Sequence, residues 1–229
     1  MKQLAEQRAR MNAWKCFLVA GLGLFACLSD GTGLAGSNRK LPHPWAHDIE
    51  TGDLKAVQEV IDRYGGYANI PTVHGLSPLH FAASRHLFGV VELLLANGAN
   101  VDELDEDSDT LLHSAAQLGD LSLAQFLLQH GAAINSKDGN GYTPLRCAGL
   151  FRKFGIMRLL LDNQANVDEQ DDSGYSLLHW AAVKGDLELT ELLLAYRASL
   201  NIPASSGTTP LQFAKSHPKV RQRLERELH

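Results

Sequence analysis

A chain of 229 residues that is 45% apolar and carries a net charge of −5 has the length of one or two domains and the composition of an ordinary soluble protein. The first 36 residues hold four basic and two acidic side chains, which leaves the remainder at −7. So acidic a body argues against a surface that tracks nucleic-acid phosphates, because that surface needs clustered Lys and Arg.

The N-terminus differs from the rest. A basic segment ending at Lys15 precedes the apolar run CFLVAGLGLFACL at 16–28, followed by the small, polar SDGTGLAG at 29–36. Basic, apolar, then small is the layout of a secretory signal peptide, so residues 1–36 are expected to direct export in a bacterial cell. The apolar run is shorter than the roughly 20 residues of a membrane-spanning helix. Met11 would give a tidier start than Met1. Two processing schemes fit. Gly33 and Ala35 offer small residues to a signal peptidase, while Leu24-Phe25-Ala26-Cys27 resembles a lipobox and marks Cys27 for lipidation, although Phe25 is bulky for that motif. The expected location is the periplasm or cell envelope, with a lipid tether if Cys27 is modified. Cytoplasmic residence is the alternative if this segment is misassigned. Either scheme leaves Cys147 as the lone thiol, so no disulfide framework is expected.

Residues 37–44 (SNRKLPHP) read as a linker. From Trp45 an irregular helical pair is expected, broken at Gly52-Asp53-Leu54; the same tripeptide returns at 119–121 and 185–187. Then a fixed period sets in. Ser77, Thr110, Thr143, Ser176 and Thr209 are each 33 residues apart and open the boxes SPLH, TLLH, TPLR, SLLH and TPLQ. A second box follows the first four in step: VELLLANGAN, AQFLLQHGAA, MRLLLDNQAN and TELLLAYRAS. This period and these two boxes resemble the ankyrin repeat over roughly residues 45 to 225. The resemblance implies an all-α ankyrin-repeat solenoid of about six helix-turn-helix repeats with short hairpin loops. The repeats lie near 45–74, 75–107, 108–140, 141–173, 174–206 and 207–229, in one repeat domain over 45–229.

Each box residue has a physical task. The opening Ser or Thr is placed to cap a helix, and Pro78, Pro144 and Pro210 suit a first turn that needs no N–H. Paired alanines (82–83, 115–116, 181–182) let helices approach. Gly65, Gly98 and Gly131 fall where the second helix ends left-handed. Gln164 and Arg197 take that position later, at a cost of about 1 kcal/mol each, so the fourth and fifth repeats are expected to be softer. Phe-Gly at 88–89 and 154–155 alternates with Gly-Asp-Leu, which points to duplication of a two-repeat unit. The basic residues after 214 read as the solvated face of a closing helix, since end repeats have one neighbour. Cys147 shares its position with Phe81, Ser114, Trp180 and Phe213, taken as inward-facing.

No arrangement of nucleophile, base and orienting acid emerges, nor a phosphate loop or zinc spacing, so no enzyme, cofactor or metal is expected. His80, His113 and His179 recur at the repeat period; the resemblance implies that their imidazoles tie the hairpins together. Asp105-x-Asp107-x-Asp109 opens like a calcium loop, but Thr110 and Ala116 occupy the required Gly and Glu positions. The acidic loops at 102–109 and 168–172 remain as solvated tips or as docking points for a basic partner.

Ankyrin repeats leave the hairpin tips and the ends of the first helices free for binding. In phase these are Leu76, Asp107, Asp109, Leu118, Tyr142, Leu150, Phe151, Asp172, Tyr175, Val183 and Lys184. Apolar and aromatic residues ringed by charge suggest an interaction site. The expected function is non-catalytic binding of a partner protein through the concave face and hairpin tips. The expected molecule is a monomer that binds no nucleic acid and serves as an accessory or protective factor in the envelope. A toxin-neutralising immunity protein and a lipid-anchored scaffold are the alternatives.

Overall fold

The computed structural model describes residues 44–67, 70, 77–105 and 107–227. The proposed signal peptide, Cys27, most of the linker, Leu76 and Glu106 lie outside them. Among the described residues, the regular structure includes twelve α-helices and a 3₁₀ turn at Ala214–Ser216, and there is no strand. The chain divides into two compact units, meeting in sequence between Asn100 and Val101.

The first unit holds α1 (Pro44–Glu50), α2 (Leu54–Arg63), α3 (Pro78–Ser84) and α4 (Phe88–Ala96). Trp45 is 1% exposed and meets the Phe81 ring edge-on at 5.7 Å, which anchors α1 to α3. Asp53 caps α2 by accepting the Lys55 N–H. Val57, Val60 and Ile61 point inward, while Lys55, Glu59, Asp62 and Arg63 face water, as expected of a polar-backed end helix.

The second unit contains α5 (Leu111–Leu118), α6 (Leu121–Gln129), α7 (Pro144–Leu150), α8 (Phe154–Asp162), α9 (Leu177–Lys184), α10 (Leu187–Ala195), α11 (Pro210–Phe213), a 3₁₀ turn (Ala214–Ser216) and α12 (Pro218–Arg226). Leu127, Leu160 and Leu193 at the centre of the second boxes are fully buried. Each such side chain is worth about 1.5–3 kcal/mol of apolar burial. Thr110, Ser176 and Thr209 form capping boxes with His113, His179 and Gln212, and Thr143 accepts the Arg146 N–H. Asp120 and Asp186 cap α6 and α10. By contrast α8, entered from Lys153 with Arg152 left-handed at φ 55°, has no side-chain cap. Gln164 and Arg197 are left-handed at φ 68° and 60°, where the sequence required that conformation. In α12, Val220 and Leu224 are buried, and Arg221 and Arg223 pair with Glu225 and Glu227. Its remaining cations are solvated.

Candidate protein-binding face

Three hairpin tips of the second unit share one construction. Asp105, Asp138 and Asp171 each accept two N–H groups through Oδ1, those of residues 107 and 109, 140 and 142, and 173 and 175. The three N–H groups of these aspartates close the loops onto the carbonyls of Asp109, Tyr142 and Tyr175. In the next tip Ala204 keeps the backbone bond to Thr208 without the carboxylate. The loop at 105–109 therefore spends the Asp105 oxygen on its own turn. Among the described residues no group of three or more His, Cys, Asp or Glu is placed to hold a metal ion. Successive tips nearly touch. A Cβ on Gly174 (φ 75°) would lie 2.5 Å from the Ser205 nitrogen.

The tips that close on Tyr142, Tyr175 and Thr208 are each tied back to the preceding first helix. His113 Nε2–H donates to the Tyr142 carbonyl at 2.9 Å and His179 Nε2–H to that of Thr208 at 3.2 Å, while their Nδ1 atoms accept the N–H of Thr110 and Ser176. Burial holds both imidazoles below their ordinary pKa. Arg146 takes the histidine's place in the intervening repeat. Its guanidinium donates to the Tyr175 carbonyl at 2.7 Å and to Asp171 Oδ2 at 2.6 Å, and lies over the Tyr142 ring at 4.7 Å. Only 4% of Arg146 is exposed. Desolvation pulls its pKa down, and the Asp171 carboxylate opposes this.

The predicted binding residues fall along this row. Leu118 ends α5, Leu150 ends α7, Phe151 caps α7, and Val183 and Lys184 end α9. Leu118, Leu150, Phe151, Tyr142 and Tyr175 are half-buried; Val183 is 41% exposed, and Asp107, Asp172 and Lys184 face water. Tyr175 leans on the Phe213 ring at 5.3 Å. Asp109 is different. It is half-buried and accepts from Gln117, and desolvation, then the neighbouring Asp105, Asp138 and Asp107, push its pKa to about 7. It offers only part of a charge at neutral pH.

The shared position of Cys147 needs correction. Phe81 and Cys147 are buried, but Ser114, Trp180 and Phe213 are only half-buried. Trp180 is too large for the space a thiol fills, and the Lys184 amine lies over its ring at 5.4 Å from the centroid and the Arg146 guanidinium at 6.0 Å. Sequence reasoning missed Trp180 as a surface aromatic. It also passed over Leu104, 58% exposed beside the first acidic tip. The signal for Arg146 was present, as the one Arg among the box histidines.

No curated protein matches this chain. The family model described as Ankyrin repeats (3 copies) matches residues 46–138, 79–171 and 145–224. Ankyrin repeats are generally modules of protein–protein interaction. With capped helix pairs, clasped hairpins and a family match over most of its length, the chain belongs to the ankyrin-repeat family.

Proposed function

We propose that this protein is exported to the bacterial envelope and there binds one partner protein through the hairpin side of its second unit. The observation that carries the reading is the row Leu118, Tyr142, Leu150, Phe151, Tyr175, Trp180 and Val183. These large apolar and aromatic side chains stay partly open to water between the acidic Asp107 and Asp172 and the cationic Lys184. A partly desolvated aromatic centre with a charged rim is the anatomy of a binding hot spot. The export half of the proposal rests on the sequence of residues 1–36. Among the described residues no helix is long and apolar enough to cross a membrane.

The partner should carry a basic patch facing the acidic tips, with an apolar or aromatic segment between. A basic toxin would suit the same face, which makes the immunity role the second reading. The test is affinity capture from cell envelopes with the full chain tagged at its C-terminus, alongside the double variant Phe151→Ala/Val183→Glu. Val183 and Phe151 are chosen over Tyr142, because removing that ring would uncover the buried Arg146. A protein retained by the native chain and lost with an equally folded variant supports the reading. Equal retention by both places the interface elsewhere. Recovery of the chain in the cytosol with residues 1–36 intact removes export.

A further inference from the structure

Neighbouring hairpins of the second unit are joined by three equivalent clasps, from residue 113 to 142, 146 to 175 and 179 to 208. Two are imidazoles and one is a guanidinium. The two chemistries respond differently to acid. Each imidazole donates Nε2–H to the next hairpin and holds Nδ1 against the N–H and the hydroxyl of its own helix cap, 2.9 Å from Thr110 Oγ1 and Ser176 Oγ, so the neutral Nε2–H tautomer satisfies every contact at once. A proton added at Nδ1 sets it against the cap N–H, forces the cap hydroxyl to turn from donor to acceptor, and leaves a cation in a site closed to water. Arginine has no acceptor role to lose and is charged throughout the acid range.

We propose that Arg146 is an acid-resistant clasp, holding the hairpin of Asp171–Tyr175 in place under acidic conditions that loosen the two histidine-clasped hairpins on either side. The charged groups around each clasp fit this division. His113 faces the Asp138 and Asp105 carboxylates, which favour its protonation but are outweighed by burial. His179 faces Asp171, which favours protonation, and Arg146, which opposes it, with the Tyr175 and Phe213 rings against it. Arg146 faces Asp171 directly and Tyr142, Cys147 and Asp138 around it. Asp109, beside Asp105 and Asp138, gains a proton over the same range, which lowers the negative charge near His113. The row of Tyr142, Tyr175 and Trp180 thus keeps its central hairpin fixed while the flanking tips gain freedom.

Amide hydrogen exchange on the full chain reads this directly, through the N–H groups that close the three hairpins: Asp138 to Tyr142, Asp171 to Tyr175 and Ala204 to Thr208. Between pH 7.5 and 5.0, after correction for intrinsic exchange, Asp138 and Ala204 should lose protection by up to about tenfold per pH unit as the pH falls from the ordinary imidazole value of 6.5 toward each imidazole's folded pKa. Asp171 should keep its protection. In Arg146→His the Asp171 amide should join the other two. If that variant does not fold, the native comparison decides alone. Parallel loss at all three amides, or loss at none, overturns the proposal.

Discussion

Asp109 carries a cost that grows with pH. The unfolded chain releases this proton near 3.8, whereas the folded carboxyl keeps it to about pH 7. Its contribution to stability is therefore full below about pH 4 and is lost as pH rises through 7. His113 and His179 act in the opposite sense. Their folded pKa lies below 6.5, so their contribution is present above that value and is lost on acidification. Asp109→Asn keeps an acceptor for Gln117 and removes the titration. Urea midpoints of the variant and the native chain should nearly coincide at pH 4, with the variant gaining steadily up to pH 8. A gap that does not change with pH would mean that the carboxyl ionises normally. Gln164 and Arg197 test backbone strain in the same unit. Replacing either by glycine at φ 68° or 60° should stabilise by about 0.5–1 kcal/mol, read from the thermal midpoint.

At the scale of elements, small residues and caps decide how the helices join. A Cβ on Gly149 would stand 2.6 Å from a Leu177 methyl. Box positions 144 and 210 hold proline, and the residues equivalent to Gly149 before them, Ala116 and Ala182, are alanine. Leucine at 177 fills the space that the extra methyl would need. Gly149→Ala should therefore destabilise by about 1–3 kcal/mol despite its better helix propensity, whereas Asp120→Ala should cost about 1 kcal/mol by uncapping α6. Denaturation curves separate the two from the stabilisation that propensity alone predicts for Gly149→Ala. The helices, their caps and the left-handed turns were legible in the sequence because each repeats in phase, so a residue type could be read against its copies. Departures from phase were harder to read. Trp180 was averaged with Cys147 and placed inside, though its ring exceeds the room available there. Arg146 could be seen in the box, but its partners, Asp171 and the Tyr175 carbonyl, sit 25 and 29 residues further on and meet it only once the hairpins stack.

For the whole molecule, the candidate face combines positions that no single repeat contains, and its charge belongs to a body more acidic than the full chain. Long-range attraction of a basic partner would act mainly on the encounter rate, since exposed charges are screened beyond about 10 Å at 0.1 M salt. Asp107 and Asp172 are exposed on tips two repeats apart and carry this term, while Asp109 is held near half-charge at neutral pH and contributes less. With the partner captured from the envelope, Asp107→Asn/Asp172→Asn should slow association several-fold at about 20 mM salt, leave dissociation nearly unchanged and lose its effect near 0.5 M. Adding Asp109→Asn should slow it little further at pH 7 and more at pH 8.5, where the native carboxyl is ionised. Stopped-flow mixing across that salt and pH grid separates the outcomes. A rate insensitive to the double variant at low salt would mean that the partner docks without using the acidic tips, leaving the aromatic row as the whole of its recognition.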